Sequence, residues 1–365
     1  MGNNSSIKDP TRVTENFEQL RINSASSDTR KNISMLVKET ENLTSITDDS
    51  YDVPSVEMPN IFPIEWRIET PILEEIFNIY IKNQWSPYEI PWHELTKAGY
   101  DEQERIAMAY WWAKLATFEY SLGPYLAKLM IHGFENHLQD PIKKITGAFV
   151  MDEMRHDQCC KLACNALCPG FPWRFKPKNE LERNAVRNIK WIYYHASRYW
   201  KALSRAFNKY PLTALYIPPI VGECISIHTF GEGIKRAKHV AYTRYFSNIT
   251  KDETRHYSFL KTSLQYFANN LTDDDRKLLT KQFRDAFILL SIHFYEPVTS
   301  KFWKLPQGFI ESNRRLEEIA MDTDLKAPTW ELRKKLWQAT FKRIKDDLEP
   351  YGVEVPDVAE VDFWG

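Results

Sequence analysis

The sequence lacks a long apolar run, an excess of either charge and a secretory leader. A membrane-spanning helix needs about 20 consecutive apolar residues, and the nearest stretch, Tyr216–Gly231, is shorter and contains Pro218, Pro219, Glu223 and His228. The 365 residues include 48 basic and 49 acidic side chains without a long basic stripe, which argues against a nucleic-acid partner. The polar N-terminus lacks the apolar segment of a secretory signal. We therefore expect no membrane span and no nucleic-acid binding.

Cysteine is too sparse and too clustered for a disulfide framework. Four of the five cysteines lie between Cys159 and Cys168, and we expect a reducing, cytoplasmic location. The spacing of Cys160, Cys164 and Cys168 would also suit iron–sulfur ligation, but a single helix cannot wrap around a cluster. We assign these three to packing.

The chain divides into a polar segment and a helical remainder. Residues 1–58 contain few large apolar groups and cannot offset their ordering entropy, so we predict a disordered tail. Beyond them the apolar spacing is helical and no alternating strand pattern appears. These features predict an all-α protein with a helical domain over 59–300 and a helical C-terminal extension over 301–365 packed on it.

The helical spacing and the proline-rich breaks place the individual helices. Asp140 followed by Pro141 reads as an N-cap with proline at the first helical position. The predicted helices are 70–85, 101–134, 140–168, 179–208, 211–237, 239–269, 273–295 and 329–348.

A five-residue motif, Asp-Glu-x-Arg-His, occurs twice, at Asp152–His156 and at Asp252–His256. Residues three apart share a helix face, so the Glu and His of each copy can approach one ion together. Carboxylate with imidazole suits iron or manganese rather than a structural zinc site. A single copy would be read as a surface ion pair, but a repeat inside two apolar helices favours metal binding. The predicted ligands are Glu153, His156, Glu253 and His256.

Two isolated glutamates precede the motifs in apolar runs, Glu119 by 34 residues before Glu153 and Glu223 by 30 before Glu253. Antiparallel helices with short connections return to the same height after about that length. A buried carboxylate needs a partner, which a metal, a lysine or a hydrogen bond can supply. With both included, four carboxylates balance two divalent cations. Glu232, the rival to Glu223, sits among charged residues and is read as exposed.

At these residues the sequence resembles the ferritin-like di-iron oxygenase superfamily. Its members include ribonucleotide reductase small subunits, acyl-carrier-protein desaturases, p-aminobenzoate-type N-oxygenases and bacterial multicomponent monooxygenase hydroxylases. The resemblance covers about residues 75–270 and implies a four-helix bundle with additional helices around two iron ions, with manganese possible at one position. It implies one ion on Glu119, Glu153 and His156, and the other on Glu223, Glu253 and His256.

The resemblance also implies roles for the rest of each motif. Asp152 and Asp252 would accept the ring N–H of the opposite motif's histidine, and Arg155 and Arg255 would pair with those aspartates. Such a carboxylate fixes the tautomer and orientation of a metal-binding imidazole.

Cys160, one turn after His156, distinguishes the subfamilies. Radical-generating reductase subunits typically carry tyrosine there, whereas monooxygenase hydroxylases can carry cysteine. The alternative is a small buried apolar side chain. Residues about one turn from the predicted ligands are expected to line a substrate pocket: Leu122, Phe149, Cys160, Ile227 and Ile249.

Two departures leave the subfamily open. Ile227 stands where monooxygenases often place threonine, and Ile249 where N-oxygenases carry a further histidine ligand. The preferred hypothesis is a non-haem di-iron monooxygenase that activates O2 to hydroxylate or otherwise oxidise a small, mainly apolar organic substrate. It would act as a homodimer with an external electron donor, a ferredoxin or a flavin reductase. The alternatives are an R2-like oxidase or N-oxygenase acting on another substrate class, and a non-catalytic iron-binding or storage protein.

Overall fold

The computed structural model describes residues 71–207, 209–210, 212–295 and 305–356. The predicted tail over 1–58 lies outside these residues. Throughout the described part the regular backbone is helical and contains no strand, which confirms the all-α prediction. The α-helices are α1 Pro71–Lys82, α2 Glu102–Glu135, α3 Asp140–Leu167, α4 Glu180–Ala206, α5 Leu212–Tyr216, α6 Ile220–Arg236, α7 Val240–Phe267, α8 Asp273–Phe294, α9 Gln307–Asp322 and α10 Trp330–Leu348.

Helix α2 begins with a reciprocal cap. The Asp101 carboxylate accepts from the backbone N–H of Glu104 at 2.8 Å, and the Glu104 carboxylate accepts from the N–H of Asp101 at 2.9 Å. Each bond satisfies an N–H that would otherwise lack a partner. The predicted cap of α3 was wrong by one residue, because Gln139 is the N-cap and Asp140 already lies in the first turn. There its negative charge still complements the helix dipole.

The predicted single helix over 211–237 was wrong. The structure divides it into α5 and α6 at Ile217–Pro219, because Pro218 and Pro219 donate no backbone hydrogen bond and crowd the preceding turn. As a result α6 begins at Ile220, and Glu223 lies in its first turn.

Helix α9 was not predicted from the sequence. Its buried apolar residues, including Phe309, Leu316 and Ala320, are separated by polar positions such as Asn313 and Glu317 that are also buried. Because these polar residues occupy the inner face, the apolar stripe is too broken to be recognised from sequence spacing.

The bundle that holds the site is formed by α2, α3, α6 and α7. Helix α2 packs along α3, α6 packs along α7, and α3 contacts α7. Helix α1 lies across both α3 and α7, while α9 and α10 pack on the outside of α2 and α6. The core contains fully buried rings such as Trp112, Phe149 and Phe259. Among the described helices, none is long and apolar enough to traverse a bilayer.

Candidate metal centre

Four helices each contribute to one buried cluster of acids and histidines. Helices α2 and α6 supply one glutamate each, and α3 and α7 supply a Glu and a His each. The six side chains are at most 2% exposed: Glu119, Glu153, His156, Glu223, Glu253 and His256. Their donor atoms form two groups, each within 4.8 Å: Glu119, Glu153 and His156 in one, and Glu153, Glu223, Glu253 and His256 in the other.

Both imidazoles turn Nδ1 toward the carboxylates. His156 Nδ1 lies 3.4 Å from Glu119 Oε2 and 3.7 Å from Glu253 Oε1. His256 Nδ1 lies 3.0 Å from oxygens of both Glu223 and Glu253. The two rings are 6.0 Å apart between centroids. The glutamates of the two repeated motifs therefore lie between the histidines, where a carboxylate can bridge two ions.

Several atoms of this cluster have no hydrogen-bond partner in the described part of the chain. They are both carboxylate oxygens of Glu119 and of Glu153, one oxygen of Glu223, and Nδ1 of His156. Burial away from water raises the pKa of Glu119, Glu153 and Glu223. Buried acceptors without donors are costly, and bound cations would satisfy them all. The donor set, four carboxylates and two imidazoles, fits two iron or manganese ions.

The far nitrogen of each imidazole contacts the other motif. His156 Nε2 lies 3.1 Å from Asp252 Oδ2, and His256 Nε2 lies 3.2 Å from Asp152 Oδ2. This is the crossed pairing that the resemblance implied. Each imidazole can therefore donate Nε2–H to an aspartate while Nδ1 remains an acceptor for a metal.

Two arginines neutralise these aspartates. Arg155 donates to Asp152 at 2.6 Å and its other nitrogen lies 3.6 Å from Asp252. Arg255 donates to Asp252 and lies 3.9 Å from Asp152. The two positive charges therefore cancel the two aspartates, which leaves the four glutamates to balance the cations.

Two aromatic residues, Tyr80 in the last turn of α1 and Trp85 in the loop that follows it, cover this network, and sequence reasoning missed both. The Trp85 ring stacks on His156, and the Tyr80 ring stacks on His256, at 6.3 and 5.8 Å between centroids. The indole N–H of Trp85 donates to Asp252 at 2.7 Å. Arg155 lies over Trp85 and Arg255 over Tyr80, each about 5 Å from the ring. No motif spacing links α1 to the repeat, so the sequence offered no signal for these contacts.

The predicted pocket residues occupy different environments. Leu122 lines an apolar cavity beside α2. The Phe149 ring stacks on the His256 ring with 3.6 Å between centroids, and the Cys160 sulfur lies 3.7 Å from the Tyr245 hydroxyl oxygen. Ile249 is fully buried and Ile227 partly buried against the core. Of the five, only Leu122 contacts the cavity, and the others contribute to the packed shell around the cluster.

The geometry does not support Glu232 as a metal ligand or the clustered cysteines as iron–sulfur ligands. Glu232 pairs with Lys235 at 2.7 Å instead of joining the cluster. The cysteines are buried, free thiols, and Cys164 contacts the backbone carbonyl of Ala109. Cys159, Cys160, Cys164 and Cys168 therefore contribute packing.

Comparison with solved structures identifies the fold. A variant of an R2-like ligand-binding oxidase with an aerobically reconstituted Mn/Fe cofactor aligns with a TM-score of 0.56 at 15% identity, covering 76% of this chain and 94% of that one. Another such variant, with an Fe/Fe cofactor, aligns with a TM-score of 0.55 at 15% identity, covering 76% of this chain and 93% of that one. The ribonucleotide reductase R2 subunit from Clostridium botulinum aligns with a TM-score of 0.51 at 14% identity, covering 82% of this chain and 87% of that one.

No protein-family model matches the sequence, and no curated protein matches it. At these identities the structural likeness shows the fold. The chain therefore has the fold of a ferritin-like helical bundle, as the resemblance in its motifs implied.

Proposed function

We propose that this chain binds two iron ions, or one manganese and one iron, and oxidises a small organic substrate with O2. The observation that carries the proposal is the set of buried carboxylate oxygens without hydrogen-bond donors, arranged around two inward-facing imidazole nitrogens. The proposed ligands are Glu119, Glu153, His156, Glu223, Glu253 and His256. Support comes also from the similar solved structures of R2-like ligand-binding oxidases, which carry Mn/Fe and Fe/Fe cofactors.

The protein's own contribution follows from the geometry. The six side chains are withdrawn from water, and Asp152 and Asp252 hold both imidazoles in one orientation. Because Arg155 and Arg255 already neutralise the aspartates, the four glutamates match the charge of two divalent ions. When bound, such ions supply the electrons and open positions needed to activate O2.

An R2-like oxidase is the second candidate, and a specific observation favours it. The solved structures that align at TM-scores above 0.5 include R2-like ligand-binding oxidases, and the alignments span at least 93% of them. Cys160 lies one turn after His156, at the position where radical-generating reductase subunits typically carry tyrosine. A stored tyrosyl radical at that position is therefore not expected.

Metal analysis of purified variants tests the centre. We expect about two ions per wild-type chain and fewer than one in Glu153→Ala and Glu253→Ala. Glu232→Ala is the matched control, since that glutamate pairs with Lys235 outside the cluster, and it should retain both ions. Full metal content in both cluster variants would refute the ligand assignment.

Oxygen uptake after loading with ferrous iron tests the activity. An oxidase or oxygenase takes up a fixed amount of iron and consumes O2 in proportion to oxidised substrate or added reductant. Accumulation of many irons per chain would instead identify a storage protein and overturn the proposed activity.

A further inference from the structure

A cavity lies beside the bundle, between α2, α4, α6 and α8. It is partly open to solvent, and its empty space together with that open part is about 820 Å³. Its wall is mainly aliphatic and aromatic, with Phe118, Leu122, Ile192 and Leu289 as examples. Among the described residues, no Asp, Glu, Lys or Arg lines it. An ion entering it would lose hydration without gaining a counter-charge.

The cavity adjoins the helix turns that carry the two isolated glutamates. Phe118 precedes Glu119, Gly222 precedes Glu223, and both Phe118 and Gly222 line the cavity. A Cβ on Gly222 would lie 3.3 Å from Cζ of Phe118, tighter than most such contacts. The glycine therefore lets the Phe118 ring lie close against α6. The same turns of α2 and α6 thus face the cavity on one side and the cluster on a neighbouring side.

His293 supplies a hydrogen-bonding atom in this wall. Its Nδ1 is buried and has no hydrogen-bond partner within the described ranges. Burial and the nearby Lys114 charge lower the pKa of His293 to about 3, so the ring is neutral near pH 7. A neutral imidazole has a single N–H. The Lys114 backbone raises the pKa of His293, as a carbonyl that accepts this N–H would do. With that N–H directed to the Lys114 carbonyl, Nδ1 is an acceptor.

We propose that the cavity binds a neutral, mainly apolar molecule with one hydroxyl or N–H group, which donates a hydrogen bond to Nδ1 of His293. The apolar wall takes the body of the ligand, and the unpaired acceptor selects for the donor. The binding site is argued from the cavity alone, whereas its use as the substrate site of the metal centre rests on the proposed function.

Three naphthalene derivatives of similar shape test the chemistry by isothermal titration calorimetry on the full, metal-free chain. 1-Naphthol carries the donor, 1-methoxynaphthalene lacks it, and 1-naphthoate is charged. We expect one site for 1-naphthol, about two- to tenfold weaker binding of 1-methoxynaphthalene, and no saturable binding of 1-naphthoate. Equal binding of the two neutral probes, tighter binding of the anion, or no binding of 1-naphthol would overturn the proposal.

Variants locate the site. His293→Phe should bind both neutral probes with similar affinity, because it removes the acceptor but keeps a ring. Leu289→Trp should abolish binding by filling the cavity, whereas Leu278→Trp, a matched change on α8 away from the wall, should bind 1-naphthol normally. Unfolding curves of each variant verify folding. Undiminished binding in folded Leu289→Trp would place the probe elsewhere and overturn the site.

The same samples separate this inference from the proposed function. If Leu289→Trp binds two metal ions but no 1-naphthol, filling the cavity has removed the ligand site and left metal binding intact, as expected. If wild-type protein binds metal but no 1-naphthol, only the cavity proposal fails. If it binds 1-naphthol but no metal, only the proposed function fails.

Discussion

His156 places its Nε2 3.1 Å from a carboxylate oxygen of Asp252, which lies 96 residues further along the chain. The reciprocal contact joins His256 to Asp152. The two copies of the motif therefore exchange partners, and each imidazole of the cluster is oriented by the other copy.

The first prediction concerns this exchange. Asp252→Asn keeps the size of the side chain but removes the charge that holds the His156 N–H, the Trp85 indole and Arg255. Metal affinity should fall about 10- to 100-fold, measured by competition with a chromogenic chelator. Asp157→Asn is the control, because Asp157 is also a buried aspartate, on α3, but pairs with Lys161. Equal affinities in both variants would contradict the role of the crossed pair.

The second prediction concerns metal and stability. Because the cluster brings four glutamates together only in the folded chain, ions that bind it should stabilise the fold. At a thousandfold excess over the dissociation constant, one site adds about 4 kcal/mol, which corresponds to a rise in the unfolding midpoint on the order of 10 °C. Mn²⁺ should produce this rise, and EDTA should reverse it.

The matching variant for that experiment is Glu153→Ala, which removes the glutamate present in both donor groups. Its midpoint should respond little to Mn²⁺. A midpoint that rises in the variant as it does in the wild-type chain would show that the ion binds elsewhere.

The third prediction concerns acid stability. Burial and Lys114 lower the pKa of His293 to about 3, below the value of about 6.5 in an unfolded chain. As pH falls below 6.5, the unfolded chain takes up this proton before the folded one, so folding stability decreases toward pH 3. Between pH 6 and 4 the wild-type chain should lose about 2 kcal/mol more than His293→Phe.

Urea unfolding of both proteins at several pH values measures that difference. Other acids and histidines titrate equally in the two proteins and cancel in the comparison. Parallel stability curves would mean that His293 accepts a proton in the folded state as readily as in the unfolded state.

The fourth prediction concerns the helices packed on the bundle. Glu317 of α9 pairs with Lys114 of α2 and Arg333 of α10, and all three are buried. Glu317→Ala would leave two cations without a counter-charge, so the free energy of unfolding should decrease by about 3–5 kcal/mol. Glu318→Ala, one residue away and exposed, should change it little.

The triple variant Lys114→Met, Glu317→Leu and Arg333→Met completes that test. It removes all three charges and should recover most of the lost stability, because well-packed apolar side chains can replace a buried ion network. If the single Glu317→Ala change costs no more than the exposed control, the network does not hold α9 and α10 in place.

The sequence was most informative where local spacing dictates geometry. The Glu and His of each motif lie three residues apart, so their shared helix face and their approach to one cluster follow from the helical period. Glu119 and Glu223 were recognised because a carboxylate in an apolar run needs a partner. Both kinds of reasoning depend on neighbours in the chain.

Features set by tertiary packing were not accessible in this way. Tyr80, in α1, and Trp85, in the loop after it, cover the histidines from about 70 to 180 residues away in sequence, and no periodicity encodes these contacts. The cavity was likewise missed, since its walls come from α4 and α8 as well as α2 and α6. Residues one turn from the ligands proved to be packing neighbours, with Leu122 as the exception.

The break at Pro218 and Pro219 makes the two halves of the repeat unequal. Glu223 lies in the first turn of α6, where the helix dipole supplies partial positive charge, whereas Glu119 lies in the middle of α2. The two donor groups of the cluster, which contain the same motif, therefore experience different electric fields. The repeated motif supplies a Glu and a His to the cluster from each of two helices, and a pair of prolines makes the surroundings of Glu119 and Glu223 electrostatically unequal.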